Sequence, residues 1–170
     1  MREKIDKVTR VVLVVLMALL VLDVVWQVFT RYVIQSPSTF TDELARFLLI
    51  WVSLLGAAYF SGQNLHVAID MFPRSLNPRN RFRLTIFIKV LIALFVLIVF
   101  VIGGGILVYT TWTYLQVTPA LQIPMALVYL IGPISGLLII YYKIDDIYRL
   151  IRKGPDHDIR TADAEPSATA

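Results

Sequence analysis

Apolar residues fill four long blocks of this chain, and none of them alternates with the two-residue period of a strand. The first block, VTRVVLVVLMALLVLDVVWQVFT from Val8 to Thr30, carries only Asp23 and Gln27 as strongly polar residues after Arg10. At a rise of 1.5 Å per residue, about twenty such residues cross a hydrocarbon layer of roughly 30 Å. The second block, FLLIWVSLLGAAYFSG from Phe47 to Gly62, is short by itself. Its helix is expected to begin earlier: Pro37 breaks the chain, Thr41 can cap the first amides, and Asp42 and Glu43 place negative charge at a helix N-terminus. The third block follows Asn77-Pro78, an N-cap and first-turn proline, and includes Lys89 and Gly103-Gly104-Gly105. Longer than a perpendicular span requires, it is expected to tilt or project. Pro119 and Pro124 fix the turn into the fourth block, and Pro133 is expected to kink it. The pattern predicts an all-α integral membrane protein with four transmembrane helices over about residues 8–32, 42–62, 84–111 and 125–145.

Composition supports the bilayer as solvent. The 170 residues are 58% apolar and 16% charged, against roughly 45–50% and about 25% for soluble domains. The absence of cysteine excludes disulfides, thiolate metal sites and a cysteine nucleophile. The basic start resembles a secretory signal, but the apolar run is too long and no small-residue cleavage site follows. A net charge of +4 raises the question of nucleic acid, which the distribution answers. Arg2, Lys4, Lys7 and Arg10 precede the first span; Arg74, Arg79, Arg81 and Arg83 lie between the second and third; Lys143, Arg149, Arg152, Lys153 and Arg160 follow the fourth. The first connection holds Arg31, with Arg46 at the next helix start, and residues 112–124 have neither Lys nor Arg. Both termini and the middle loop are therefore expected on the cytoplasmic side, N-in and C-in, with no nucleic-acid partner. The stretch 64–72, NLHVAIDMF, is expected as a short amphipathic cytoplasmic element, within a transmembrane domain of residues 1–153. Residues 154–170 have little to bury and are expected as a disordered tail.

Few residues point to chemistry. Asp23 is an acid inside a span, which is costly and usually faces protein or water; it shares a stripe with Gln27, Thr30 and Arg31. It reads either as a proton or cation site or as a polar contact to another helix, and one carboxylate with no second acid or histidine beside it makes a poor transport site. Lys89 is expected to snorkel to the inner surface in preference to forming an internal ion pair. Arg46 with Asp42 and Glu43 reads as a structural ion cluster or as a contact with a partner's external surface. Ser53, Ala57 and Ser61 recur every fourth residue, as do Gly132 and Gly136, spacing that lets helices approach closely in lipid. The two histidines, His66 and His157, flank no span together, and no phosphate loop, HExxH or nucleophile with a base is present. No enzyme, no metal and no cofactor is expected.

The loops carry a family resemblance. RYVIQSPSTFTDELARFLLIW, Arg31 to Trp51, resembles the outer loop and second helix of the small membrane subunit of TRAP transporters, the DctQ-like or SiaQ-like family. Gly56-Ala57-Ala58, then His66-Val67-Ala68-Ile69-Asp70, then Thr118 to Met125 (TPALQIPM) and Tyr129 extend it in order over about residues 10–145. Phe40 stands where the family often has Trp, a change that keeps an aromatic anchor. The resemblance implies a bacterial inner-membrane system of three parts: a periplasmic substrate-binding protein (P-type), a large membrane subunit (M-type) that moves substrate with sodium as an elevator, and this small scaffold subunit. It implies organic acids as substrates, C4-dicarboxylates or sialic acid, and leans towards the sialic-acid branch. Sodium coupling would then reside in the large subunit. Asp23, Arg31, Asp42, Glu43 and Arg46 become candidates for stabilising the outer half or its contact with the large subunit. The rival expectation is an autonomous proton-coupled exporter or channel using Asp23; a third is an assembly factor that leaves the mature transporter.

Overall fold

The computed structural model describes residues 2–36, 38–63 and 78–153. Pro37, the stretch expected as an amphipathic element at 64–72 and the tail 154–170 lie outside the described residues.

The described residues form helices with no strand. Helix α1 spans Arg2–Tyr32, longer than its apolar run because the good helix formers Glu3, Lys4 and Lys7 carry it back to Arg2. Beyond it Gln35 adopts a left-handed backbone (φ 56°), which lets the Ser36 amide turn back onto the Thr30 carbonyl. Helix α2 spans Thr39–Gly62. Thr41 does not cap the first amides as expected: Ser38 occupies the cap position in extended conformation, and the Thr41 hydroxyl, one turn inside, donates to the Ser38 carbonyl at 3.0 Å. The third span is α3 (Pro78–Val96), a π-helical stretch (Leu97–Gly103) and α4 (Gly104–Thr113) in unbroken succession. The fourth is a short α5 (Met125–Tyr129), a break at Leu130, and a long α6 (Ile131–Lys153). The interruption falls three residues ahead of Pro133, which has no amide hydrogen for the Tyr129 carbonyl.

All four spans are long and apolar enough to cross a membrane. They are not equivalent. In α1 only Thr9 and Thr30 are buried, whereas 39% of the apolar window of the fourth span is inside the bundle against 6% for the first. Helix α6 is the hub, packed against α2 on one side and against α3 and the π-helical stretch on the other; α1 leans on α2. The apolar centre is small: Ala58, Val96 and Ile139, surrounded by Ile92, Phe100, Leu138 and Ile140. Apolar area gives little drive for helix association in lipid, so close backbone approach and polar contacts must supply it. The glycines make that approach possible. A Cβ on Gly136 would lie 2.8 Å from the Phe100 Cβ, and one on Gly62 would lie 2.8 Å from the Tyr142 ring. A Cβ added on Gly104 of the triple glycine would lie 3.0 Å from Pro133 Cδ, while one on Gly105 or Gly132 would meet nothing within 4 Å.

Candidate functional site

Polar side chains removed from water must satisfy one another, and here they collect at the two ends of the bundle. At the end bearing Arg2, all four spans contribute. Ile139, Tyr142, Lys143 and Asp146 recur at spacings of three and four, so α6 turns one face inward there. Tyr142 is 0% exposed and its hydroxyl donates to Asp6 Oδ1 of α1 at 2.6 Å. Arg2 lies with its guanidinium carbon 5.6 Å from the centre of the same ring. From there it donates to Asp145 Oδ2 at 2.8 Å, to Asp146 Oδ1 at 2.9 Å and to the Gly62 carbonyl closing α2. The α3 contribution is Lys89, 3.9 Å from Asp146 Oδ2. Lys143, 1% exposed, donates to the Ser61 carbonyl at 3.2 Å, and Arg149 reaches Asp145 at 2.8 Å on the rim. Cations and carboxylates thus interleave around Asp146, whose side chain is 2% exposed.

The loop end is built differently. Glu43 Oε2 accepts the backbone amides of Ala120 at 2.8 Å and Leu121 at 2.9 Å, pinning the 114–124 connection to the start of α2. That connection is folded on itself: the Thr118 amide donates to the Ile123 carbonyl at 2.9 Å and Met125 to Gln116 at 2.9 Å, with left-handed backbones at Leu115 (φ 47°) and Gln122 (φ 54°). Asp42 accepts Gln27 Nε2 at 3.2 Å and pairs along its own helix with Arg46, which is 73% exposed. Trp51 Nε1 donates to the Val128 carbonyl at 3.2 Å, fastening α2 to α5.

The structure therefore divides the trio read as one ion cluster. Asp42 and Arg46 form an exposed pair, and Glu43 turns away to the loop amides. Asp23 lies one turn deeper than Gln27, half-buried, with Oδ2 buried and making no hydrogen bond among the described residues. Arg31 is exposed at the end of α1 and takes no part in these contacts. Ser53 and Ala57 face outward while Ser61 is buried, so the stripe read from the sequence does not share one environment. Of the other pair, Gly136 is a close-packing point and Gly132 is not. Lys89, expected to snorkel, instead faces Asp146 inside the bundle. Among the described residues no three acids or histidines meet in a metal-holding group. The Arg2-end network escaped the sequence reading because its basic members looked like topology charges. The overlooked signal was Lys143 and Asp146 continuing the buried register of an apolar helix.

Four lipid-length helices, with polar groups that fasten helices to one another, define a helical integral membrane protein. The profile of the family described as "Tripartite ATP-independent periplasmic transporters, DctQ component" matches residues 20–153, and the chain belongs to that family. It is 29% identical over 80 residues to the sialic acid TRAP transporter small permease protein SiaQ of Vibrio cholerae, covering 47% of this chain and 46% of that protein. It is 30% identical over 120 residues to the C4-dicarboxylate TRAP transporter small permease protein DctQ of Rhodobacter capsulatus, covering 69% and 52%. A putative TRAP transporter small permease protein of Haemophilus influenzae is 25% identical over 121 residues, covering 68% and 70%. The chain spans about half the length of the first two relatives.

Proposed function

We propose that this chain is a scaffold subunit, which braces a large sodium-coupled elevator subunit in the bacterial inner membrane and passes no substrate itself. One observation carries the reading: the polar side chains of the Arg2 end are turned onto one another and cross-brace all four spans. A brace needs a fixed shape, and a transport path needs polar groups that release and rebind cargo. The outward-facing Ser53 and Ala57, with the largely exposed apolar surfaces of α1 and the third span, supply area for a larger neighbour. The distribution of basic residues favours a cytoplasmic Arg2 end, N-in and C-in. The partners are then the large M-type subunit in the membrane and a P-type binding protein at the loop end, in the periplasm. Two relatives are named for sialic acid and for C4-dicarboxylates; both are carboxylates, so the cargo of the complete system is an organic acid.

The test is reconstitution. Vesicles holding only this chain should show no uptake of sialic acid or of a C4-dicarboxylate under a sodium gradient, and adding the large subunit and binding protein should restore it. Flux with this chain alone overturns the brace. A second reading, an autonomous exporter, draws on the buried oxygen of Asp23 that makes no hydrogen bond among the described residues. It requires that Asp23→Asn abolish such solitary flux.

A further inference from the structure

Between the first turns of α1 and the end of α2 runs an open groove of about 610 Å³ that shares only Asp6 with the bracing network. Its walls are Glu3, Lys4, Asp6, Lys7 and Arg10 from α1, with Tyr59 and Gln63 from α2. We propose that this groove is a binding site for the phosphodiester headgroup of an anionic phospholipid, of which phosphatidylglycerol is the simplest example.

Position comes first. Lys4, Lys7 and Arg10 climb about 9 Å along the helix axis, and Arg10 stands where the uninterrupted apolar run begins at Val11. The groove therefore sits at the boundary of the hydrocarbon, where lipid phosphates lie, with Tyr59 beside them as an interfacial aromatic. Charge is the second argument. Three cations line the groove against two carboxylates, and one of those, Asp6, already accepts the Tyr142 hydroxyl. Arg2 points the other way, into α6. Lys4, Lys7 and Arg10 are exposed, which leaves cationic donors open at the surface and one excess positive charge to match a phosphodiester. The remaining polar groups, Glu3, Gln63 and the Tyr59 hydroxyl, suit a headgroup that carries free hydroxyls. Shape is the third. One turn deeper on the same face of α2 is Gly56, where an added Cβ meets nothing within 4 Å, so the α1–α2 surface stays open below the headgroup for an acyl chain.

The full chain, purified in detergent, should be titrated with phosphatidylglycerol or phosphatidylcholine and the retained lipid counted by native mass spectrometry. Phosphatidylglycerol should be retained in clear preference. Lys7→Gln with Arg10→Gln should weaken it by about fivefold for each cation removed, whereas Arg152→Gln, an exposed cation at the same end but outside the groove, should change nothing. Equal retention of phosphatidylcholine, or an equal loss in Arg152→Gln, overturns the site. So does displacement of the lipid by millimolar inorganic phosphate, which would make it a site for soluble anions. Should the double variant fail to fold, the lipid preference of the unaltered chain and its response to phosphate still decide.

Discussion

The two ends of the bundle solve one problem by opposite means. At the Arg2 end, charged side chains of α1, α3 and α6 meet one another and the last carbonyls of α2, and Asp146 is enclosed by Arg2 and Lys89 with almost no water contact. At the loop end a single carboxylate, Glu43, holds backbone amides, while the nearby Asp42–Arg46 pair stays exposed. Charges sealed in a low-dielectric setting depend on their partners for several kcal/mol, and exposed pairs for little. The first end therefore fixes how the helices sit relative to one another. The second fixes the shape of a loop and leaves its ion pair available to a neighbour.

The largest test of this contrast is Asp146→Ala, which removes one of the acceptors of Arg2 and the counter-charge facing Lys89. It should cost about 3–5 kcal/mol and separate α1 and α3 from α6, read as a fall in thermal stability in detergent. A variant as stable as the parent would show that the Arg2 end is not the brace. Next is Gly62→Ala, whose Cβ would meet the Tyr142 ring at 2.8 Å. Overpacking there should cost about 1–3 kcal/mol, while Gly56→Ala, which meets nothing, should be near neutral. Glu43→Ala should cost about 1–3 kcal/mol by leaving two amides without their acceptor. Its effect should stay local, with faster amide exchange at Ala120 and Leu121 and unchanged exchange around Tyr142. The smallest effect belongs to Arg46→Ala, within about 1 kcal/mol. Loss of co-purification with the large subunit in that stable variant would assign the exposed pair to an interface. Normal co-purification and normal uptake in both the Glu43 and Arg46 variants would remove these residues from the contact.

Some of this was readable in the residues alone. The run from Val8 to Thr30 has no outlet but lipid, so helical spans follow from length and from the need to satisfy every backbone group internally. Pro133 announced an interruption, though not that it would fall at Leu130. The place of Glu43 at a helix start signals a role for its charge, but its partners lie 77 and 78 residues away on a loop whose fold no local pattern encodes.

What the sequence determined by itself was the solvent: hydropathy is a sum over neighbouring residues, so four crossings, their helical form and the family likeness in the loops are local facts. The pairing of charges was decided only in three dimensions. Whether Lys89 reaches for the surface or for Asp146, and whether Lys143 ends a span or is sealed beneath it, depends on which helix faces lie opposite. In lipid that choice rests on a few close contacts, Gly62 on Tyr142 and Gly136 on Phe100, because apolar area favours no particular neighbour.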